Sequence, residues 1–362
     1  MTASTDFSTS KTRQVLLNIT VVCVTILVCF GIAEIGTRIF WASPSFCWPQ
    51  TLHRKHPVLG WEMIPNQRSF TYSIPVWVNS LGLRDDEVPT ENTGKKRRIL
   101  ILGDSVTYGV LVAGDETYAN QLEAMLNGEQ SDLSYEVINA GVQRYYTYQE
   151  LDYLRLRGLQ LEPDIVILGY YINDLGIRPK TWHRDYEKSR EKVMSQIWQK
   201  APFLMHIFKN SALVSFVRDR YFRLRNAMKR KKNTQEKLLH GIRDVGIEKK
   251  IAVAREYITE FKQLGREHNF KFMIVAFPGV NQVINDSPNA IYPGFVQQIS
   301  HELNVPFVDL LPYYKAHYDG DIRSLYFRYN GHPNRIGHRI AAETIKEKLS
   351  MLGWLSQKPP LK

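Results

Sequence analysis

The sequence predicts an α/β fold: a five-stranded parallel sheet covered on both faces by helices and preceded by one transmembrane helix. Three observations predict it. From residue 97 onward, short apolar runs recur between charge, glycine or proline, as buried parallel strands do. Helically spaced segments separate them, the alternation that builds such a sheet. Residues 14–33, QVLLNITVVCVTILVCFGIA, hold no charged side chain. At ~1.5 Å rise, such a run spans ~30 Å, the thickness of a bilayer's hydrocarbon core.

Taken in order, residues 1–13 are a short N-terminus in which Lys11 and Arg13 precede the apolar run. These charges favour a cytoplasmic N-terminus. The run is longer than the ~7–15 apolar residues of a signal peptide, and no A-x-A site follows it. A retained anchor over 14–36 is therefore expected, with a cleaved signal peptide as the alternative. Residues 37–96 are rich in Pro, Trp and polar residues without a sustained period. They are expected to form a juxtamembrane segment packed on the main domain.

The main domain is expected over 97–356. Strands are read at 97–104 (RRILILGD), 135–141 (YEVINAG), 164–174 (DIVILGYYIND), 270–279 (FKFMIVAFPG) and 305–312 (VPFVDLLP). Helices are read at 118–128, 147–162 and 333–352. The alternation breaks at about 178–250, a helical and unusually basic insertion. Residues 218–250 hold twelve Lys or Arg against four Asp or Glu, most of the chain's net charge of +11. One reading is a cap lying on anionic lipid or over an acidic substrate. The other is a solvated face.

Composition narrows the function classes. Hydrophobic residues at 44% and charged residues at 23% exclude wholesale disorder. The three cysteines all lie within the first 47 residues, which excludes a disulfide scaffold and a cysteine-built zinc module. The chain carries no H-E-x-x-H, no glycine-rich dinucleotide fingerprint and no phosphate loop ending in G-K-[ST]. No metal and no cofactor are expected. No nucleic-acid module is recognised either, so no nucleic-acid partner is expected.

The candidate chemistry sits at strand ends. Ser105 lies in GDSVTYG, where the first strand turns toward a helix. Backbone N–H groups there can face a developing negative charge. A serine needs a base, and His332 in NGHPNRIGH lies just before the last helix, on the same sheet edge. Gly141 in NAGVQ follows the second strand and Asn173 in YIND follows the third. A glycine N–H and an asparagine amide both suit an oxyanion hole. Singly, each has a plainer reading: an N-cap serine, a packed histidine, a turn glycine.

In combination the four blocks resemble the SGNH/GDSL hydrolase superfamily, over about residues 97–352. NSLGLRD (79–85) and the N-terminal anchor resemble a membrane-anchored bacterial branch of it. The resemblance implies a three-layer α/β/α sandwich, ester hydrolysis or acyl transfer, and a periplasmic catalytic domain on a single-pass inner-membrane anchor. It also implies Ser105 as nucleophile, His332 as general base, and Ser105, Gly141 and Asn173 as oxyanion donors. Asp104 and Asp174 are implied as supporting residues, with Asp174 fixing the YIND loop.

Two positions depart from the family pattern. Tyr171 stands where the third block has glycine. Asn330 and Tyr329 stand where the last block carries its aspartate, so Asn330 is expected to orient His332 without adding charge. Asp309, Asp319 and Asp321 are alternative orienting acids, and His338 is read as structural. The leading expectation is an esterase or acyltransferase acting on an O-acyl, chiefly O-acetyl, ester of a glycan or lipid-linked substrate. The rivals are a lipid esterase docked on the bilayer through residues 201–250 and a non-catalytic scaffold in envelope polysaccharide assembly.

Overall fold

The computed structural model describes residues 5–40, 52–71, 74–91, 96–128, 133–179, 234–285, 290–327 and 330–355, with a few isolated positions between 200 and 224. They form two compact units. One holds α1 and the described residues of 197–227; the other holds those of 47–196 and 228–362.

In the first unit, α1 (Thr5–Phe40) is a single helix. Its stretch Arg13–Phe40 is long and apolar enough to cross a membrane. Its apolar side chains from Val15 to Phe40 are exposed, Leu27 at 70% and Ile39 at 69%. Near its end, Glu34 accepts hydrogen bonds from Ser211 Oγ (2.7 Å) and from the N–H groups of Ala212 and Leu213 (2.9 Å each). Arg38 one turn on donates to the same carboxylate at 2.8 Å.

The second unit is built on a five-stranded parallel sheet of order β6-β5-β7-β8-β9. The strands are β5 (Lys96–Gly103), β6 (Ser134–Gly141), β7 (Ile165–Tyr170), β8 (Lys271–Ala276) and β9 (Phe307–Asp309). Nearly every strand residue is buried because helices cover both faces, hence the unbroken apolar runs in the sequence. Alternate residues go to opposite faces. Leu100, Leu102, Val166, Leu168 and Ile274 pack against α4 (Thr147–Leu156) and a later long helix, Val245–Glu267. Ile99, Ile101, Ile165, Ile167 and Val275 pack against α3 (Tyr118–Asn127) and the closing helix Arg335–Met351. The result is the expected three-layer sandwich.

The strand read at 164–174 ends at Tyr170, leaving Tyr171–Asp174 as a loop. The helix read at 147–162 stops at Leu156, and a 3₁₀ turn, Gly158–Leu161, completes it. The juxtamembrane segment is more ordered than its sequence suggests. It forms two antiparallel hairpins, β1 (His53–His56) with β2 (Gly60–Met63) and β3 (Gln67–Thr71) with β4 (Ile74–Val78). Leu52, Leu59, Met63, Val76, Val78 and Leu83 join the core beneath α4. Most of the basic insertion lies outside the described residues. Its tail, 245–250, opens the core helix Val245–Glu267, whose Ile247, Ile258 and Phe261 are buried.

Candidate active site

All the expected site residues stand at or just beyond the C-terminal ends of the strands, where parallel sheets bind ligands. Gly103 ends β5, and Asp104 caps the one-turn helix α2 (Ser105–Tyr108) by accepting Val106 N–H at 2.8 Å. This cap aims Ser105 off the sheet edge. Gly103 admits no side chain, since a Cβ there would lie 2.0 Å from Thr107 Oγ1 and 2.9 Å from the Gly169 carbonyl.

His332 Nε2 lies 2.9 Å from Ser105 Oγ, and its Nδ1 meets Asn330 Oδ1. A carbonyl oxygen only accepts, so Nδ1 carries the proton and Nε2 presents its lone pair to the serine hydroxyl. That is the geometry a general base requires. Burial holds the imidazole down at about 4, with the Asn330 hydrogen bond opposing the shift. Asp309, Asp319 and Asp321 do not orient it. Their side chains accept Leu311, Asp321 and Arg323 N–H groups respectively. His338 is buried beneath the site, accepts Tyr118 N–H at 3.1 Å, and stacks on the Tyr118 ring.

Asn173 Nδ2 donates to Asp104 Oδ2 at 2.8 Å, and Ser105 Oγ lies 3.2 Å from that same oxygen. The asparagine amide is thus brought beside the serine. Asp174 accepts Tyr171 N–H at 2.5 Å, closing the YIND loop on itself. Tyr171 is partly buried and fills the place of the missing glycine.

Gly141 was expected as an oxyanion donor, and its N–H donates to Asn139 Oδ1 at 3.0 Å. What the site uses is its missing side chain: a Cβ would sit 2.3 Å from Tyr108 N and 2.6 Å from the Thr107 carbonyl carbon. Gly141 lets β6 press against the turn that carries Ser105. Asn139 completes the contact, its Nδ2 donating to Thr107 O at 3.0 Å.

Sequence reasoning missed the brace beneath this turn. Arg84 is buried and donates to the carbonyls of Tyr108 (2.7 Å), Gly109 (2.5 Å) and Val112 (2.6 Å). Its guanidinium lies over the Tyr108 ring. Asn79 shapes the approach by accepting Leu81 and Leu83 N–H groups, and Asp85 accepts Asn139 N–H at 2.7 Å. The block NSLGLRD is therefore a clamp on the serine turn. The hairpins reach the next loop as well: Tyr145 OH donates to Trp61 O, and Gln149 to Leu59 O.

Behind the site lie more buried acids. Both Glu150 carboxyl oxygens and Asp174 Oδ1 are buried without a partner among the described residues. Burial pushes Glu150 and Asp174 well above the carboxylate range, and their mutual repulsion and that of Asp104 add to it. Burial raises Asp104 too, against hydrogen bonds from Val106, Asn173 and Ser105 that pull it down. Among the described residues no group of three His, Cys, Asp or Glu is placed to hold a metal ion.

Residues 101–340 match the profile of the GDSL-like lipase/acylhydrolase family. The chain belongs to that family. As a GDSL-like acylhydrolase it is an ester-hydrolysing enzyme. Among solved structures it is similar to an acetyl xylan esterase, AlAXEase, at 16% identity and a TM-score of 0.42, over 70% of this chain and 98% of that one. It is similar to TesA at 12% identity and a TM-score of 0.41, over 71% and 99%. It is also similar to Axe2, an acetylxylan esterase from Geobacillus stearothermophilus, at 16% identity and a TM-score of 0.42, over 72% and 96%. Likeness at this level says nothing of substrate. No curated protein matches the chain.

Proposed function

We propose that this acylhydrolase hydrolyses or transfers a small acyl group, acetyl first, from an O-acyl ester on a glycan or lipid-linked substrate. The observation that carries the reading is the line Ser105–His332–Asn330, in which each atom has the partner the chemistry needs. Ser105 Oγ attacks the ester carbonyl while its proton passes to His332 Nε2. Asn173 Nδ2 and the Ser105 N–H hold the oxyanion. The tetrahedral intermediate collapses, the alcohol leaves with the proton from His332, and acyl-Ser105 remains. Water, or a second hydroxyl in a transfer reaction, attacks this ester under the same base and frees the serine.

The proposal includes a retained anchor, with the catalytic unit on the periplasmic side. Glu34 supports retention. A cleaved leader has no use for a carboxylate that takes three hydrogen bonds from residues 211–213 of the mature chain. Covalent labelling with a fluorophosphonate probe tests the nucleophile. Labelling of the wild type that is lost in Ser105→Ala is the expected result. Absence of labelling in the wild type with its appearance in Asn330→Asp would overturn the enzyme mechanism and favour the scaffold reading. Carbonate extraction of membranes tests the anchor: the chain should stay with the pellet at full length.

A further inference from the structure

A cavity of about 400 Å³ opens beside Asn173 in the second unit, within the ~300–1,000 Å³ usual for ligand sites. One wall is aromatic. Tyr146 and Tyr148 lie with ring centroids 5.6 Å apart and planes 9° from parallel. Gly176 lets the loop after β7 close on that wall, since a Cβ there would meet Tyr146 at 2.6 Å. Thr234, Gln235 and Lys250 line the cavity as well. The walls thus mix rings, amides, a hydroxyl and apolar surface, where a fatty-acyl tunnel would be lined by apolar groups throughout.

Lys250 is the distinctive group. It is the charged side chain among the described lining residues, and no carboxylate lines the cavity with it. Its Nζ donates to Thr234 Oγ1 at 2.5 Å and makes no ion pair among the described residues. The nearby acid, Asp244, is engaged by Lys237 at 2.5 Å. A half-buried ammonium with one hydrogen bond keeps two donors for a ligand, and among the described residues no carboxylate makes an ion pair with it. Burial and the neighbouring Lys237 hold its pKa below the usual lysine value against the partial pull of Asp244, a cost that a bound anion would relieve.

Resting on the acyl-serine reading above, we infer that this cavity is the leaving-group subsite for an acidic saccharide. A sugar ring lies along Tyr146 and Tyr148, and Lys250 pairs with its carboxylate or phosphate. The registration follows from Asn173, which lines the cavity and shares one Asp104 oxygen with Ser105. A sugar seated there presents an O-acyl substituent toward the serine while its anion reaches the lysine. The enzyme would then act on charged rather than neutral acylated glycans.

The test uses the full chain in detergent micelles as Ser105→Ala, so that binding is read apart from catalysis. Titration with an oligouronate, a sugar phosphate and a neutral xylo-oligosaccharide should give at least ~10-fold tighter binding of an acidic ligand, about 1.4 kcal/mol. The uronate and phosphate arms identify the anion. Lys250→Gln should erase the preference and Lys250→Arg should keep it, with unchanged thermal midpoints. Equal binding of acidic and neutral sugars overturns the inference. So does a preference that survives Lys250→Gln, or displacement of the sugar by anionic phospholipid vesicles, which would make lipid the occupant. Failure of fluorophosphonate labelling alongside Lys250-dependent sugar binding would sink the acyl-serine mechanism and leave the subsite standing. Labelling without acidic preference would do the reverse.

Discussion

Replacing Asn330 with aspartate tests the reading of the base most directly. In the wild type, His332 Nδ1 faces a neutral amide oxygen, and burial depresses the imidazole to about 4. A general base works best with a pKa near the working pH, so this base is weak at pH 7. Asn330→Asp keeps the shape and adds a charge. An ion pair at about 4 Å in an effective dielectric of about 20 is worth about 4 kcal/mol. The new carboxylate must itself leave water, at several kcal/mol for a fully buried ion. About 1.5 kcal/mol should survive that desolvation, one pKa unit or tenfold. The expected result for p-nitrophenyl acetate hydrolysis is a tenfold rise in kcat/KM at pH 7. Because the base must be neutral, activity falls as pH drops through its pKa. That acid limb should move from about pH 4 in the wild type to about pH 5 in the variant. A wild-type limb near pH 6.5 would refute the burial argument, and a slower variant would refute the role of Asn330.

Three further outcomes follow from the packing. Gly141→Ala places a methyl against the backbone of Thr107 and Tyr108, so kcat should fall at least ~10-fold with a lower thermal midpoint, read by esterase assay and scanning fluorimetry. Arg84→Lys keeps the charge but loses the fork that serves three carbonyls; at ~1.5–3 kcal/mol per buried charge-assisted bond, a net loss of about 2 kcal/mol should lower the midpoint by ~4–8 °C and kcat with it. Glu150→Gln removes a buried carboxyl whose folded pKa is raised, so that folding above the ordinary carboxylate pKa takes up a proton and loses stability as pH rises. The variant should therefore gain more thermal stability at pH 8 than at pH 5, and an equal gain at both would count against a raised pKa.

The sheet was legible because its strands are buried on both faces. Ile99–Leu102 and Ile165–Leu168 read as continuous apolar runs only in that setting. The hairpins were illegible for the opposite reason. His53–His56 reads HRKH and buries one residue fully, leaving no period in so short a strand. Ser105 and Asn173 were legible at strand ends, and Asn330 and His332 just before the last helix; the structure joins Asn330, His332, Ser105 and Asn173 through hydrogen bonds. Gly141 was legible as a position, and the structure adds that a Cβ there would meet Tyr108 N at 2.3 Å. Arg84 was illegible because its partners are main-chain carbonyls 24–28 residues away, and a carbonyl leaves no mark on sequence.

The asparagine beside His332 and the acids behind Ser105 belong to one electrostatic problem. Asp104 touches Ser105, and Glu150 and Asp174 are buried within electrostatic reach of Asp104, so three carboxyls would act on an oxyanion formed at Ser105. Ionised, they would oppose that charge at low effective dielectric, where water screens little. Burial raises the pKa of all three, which weakens that opposition. The same dry surroundings then leave the imidazolium without a nearby anion, which is why His332 sits at about 4. An aspartate at 330 would relieve the base but add a fourth acid to a region whose burial raises the pKa of its acids. Asn330 orients the imidazole without that addition. The oxyanion side is thereby protected at the expense of the base. Burial already raises the Glu150 pKa, so Glu150→Gln should add little to Asn330→Asp, and the two changes should multiply in kcat/KM. A gain above their product would show that Glu150 carries a charge that opposes the oxyanion.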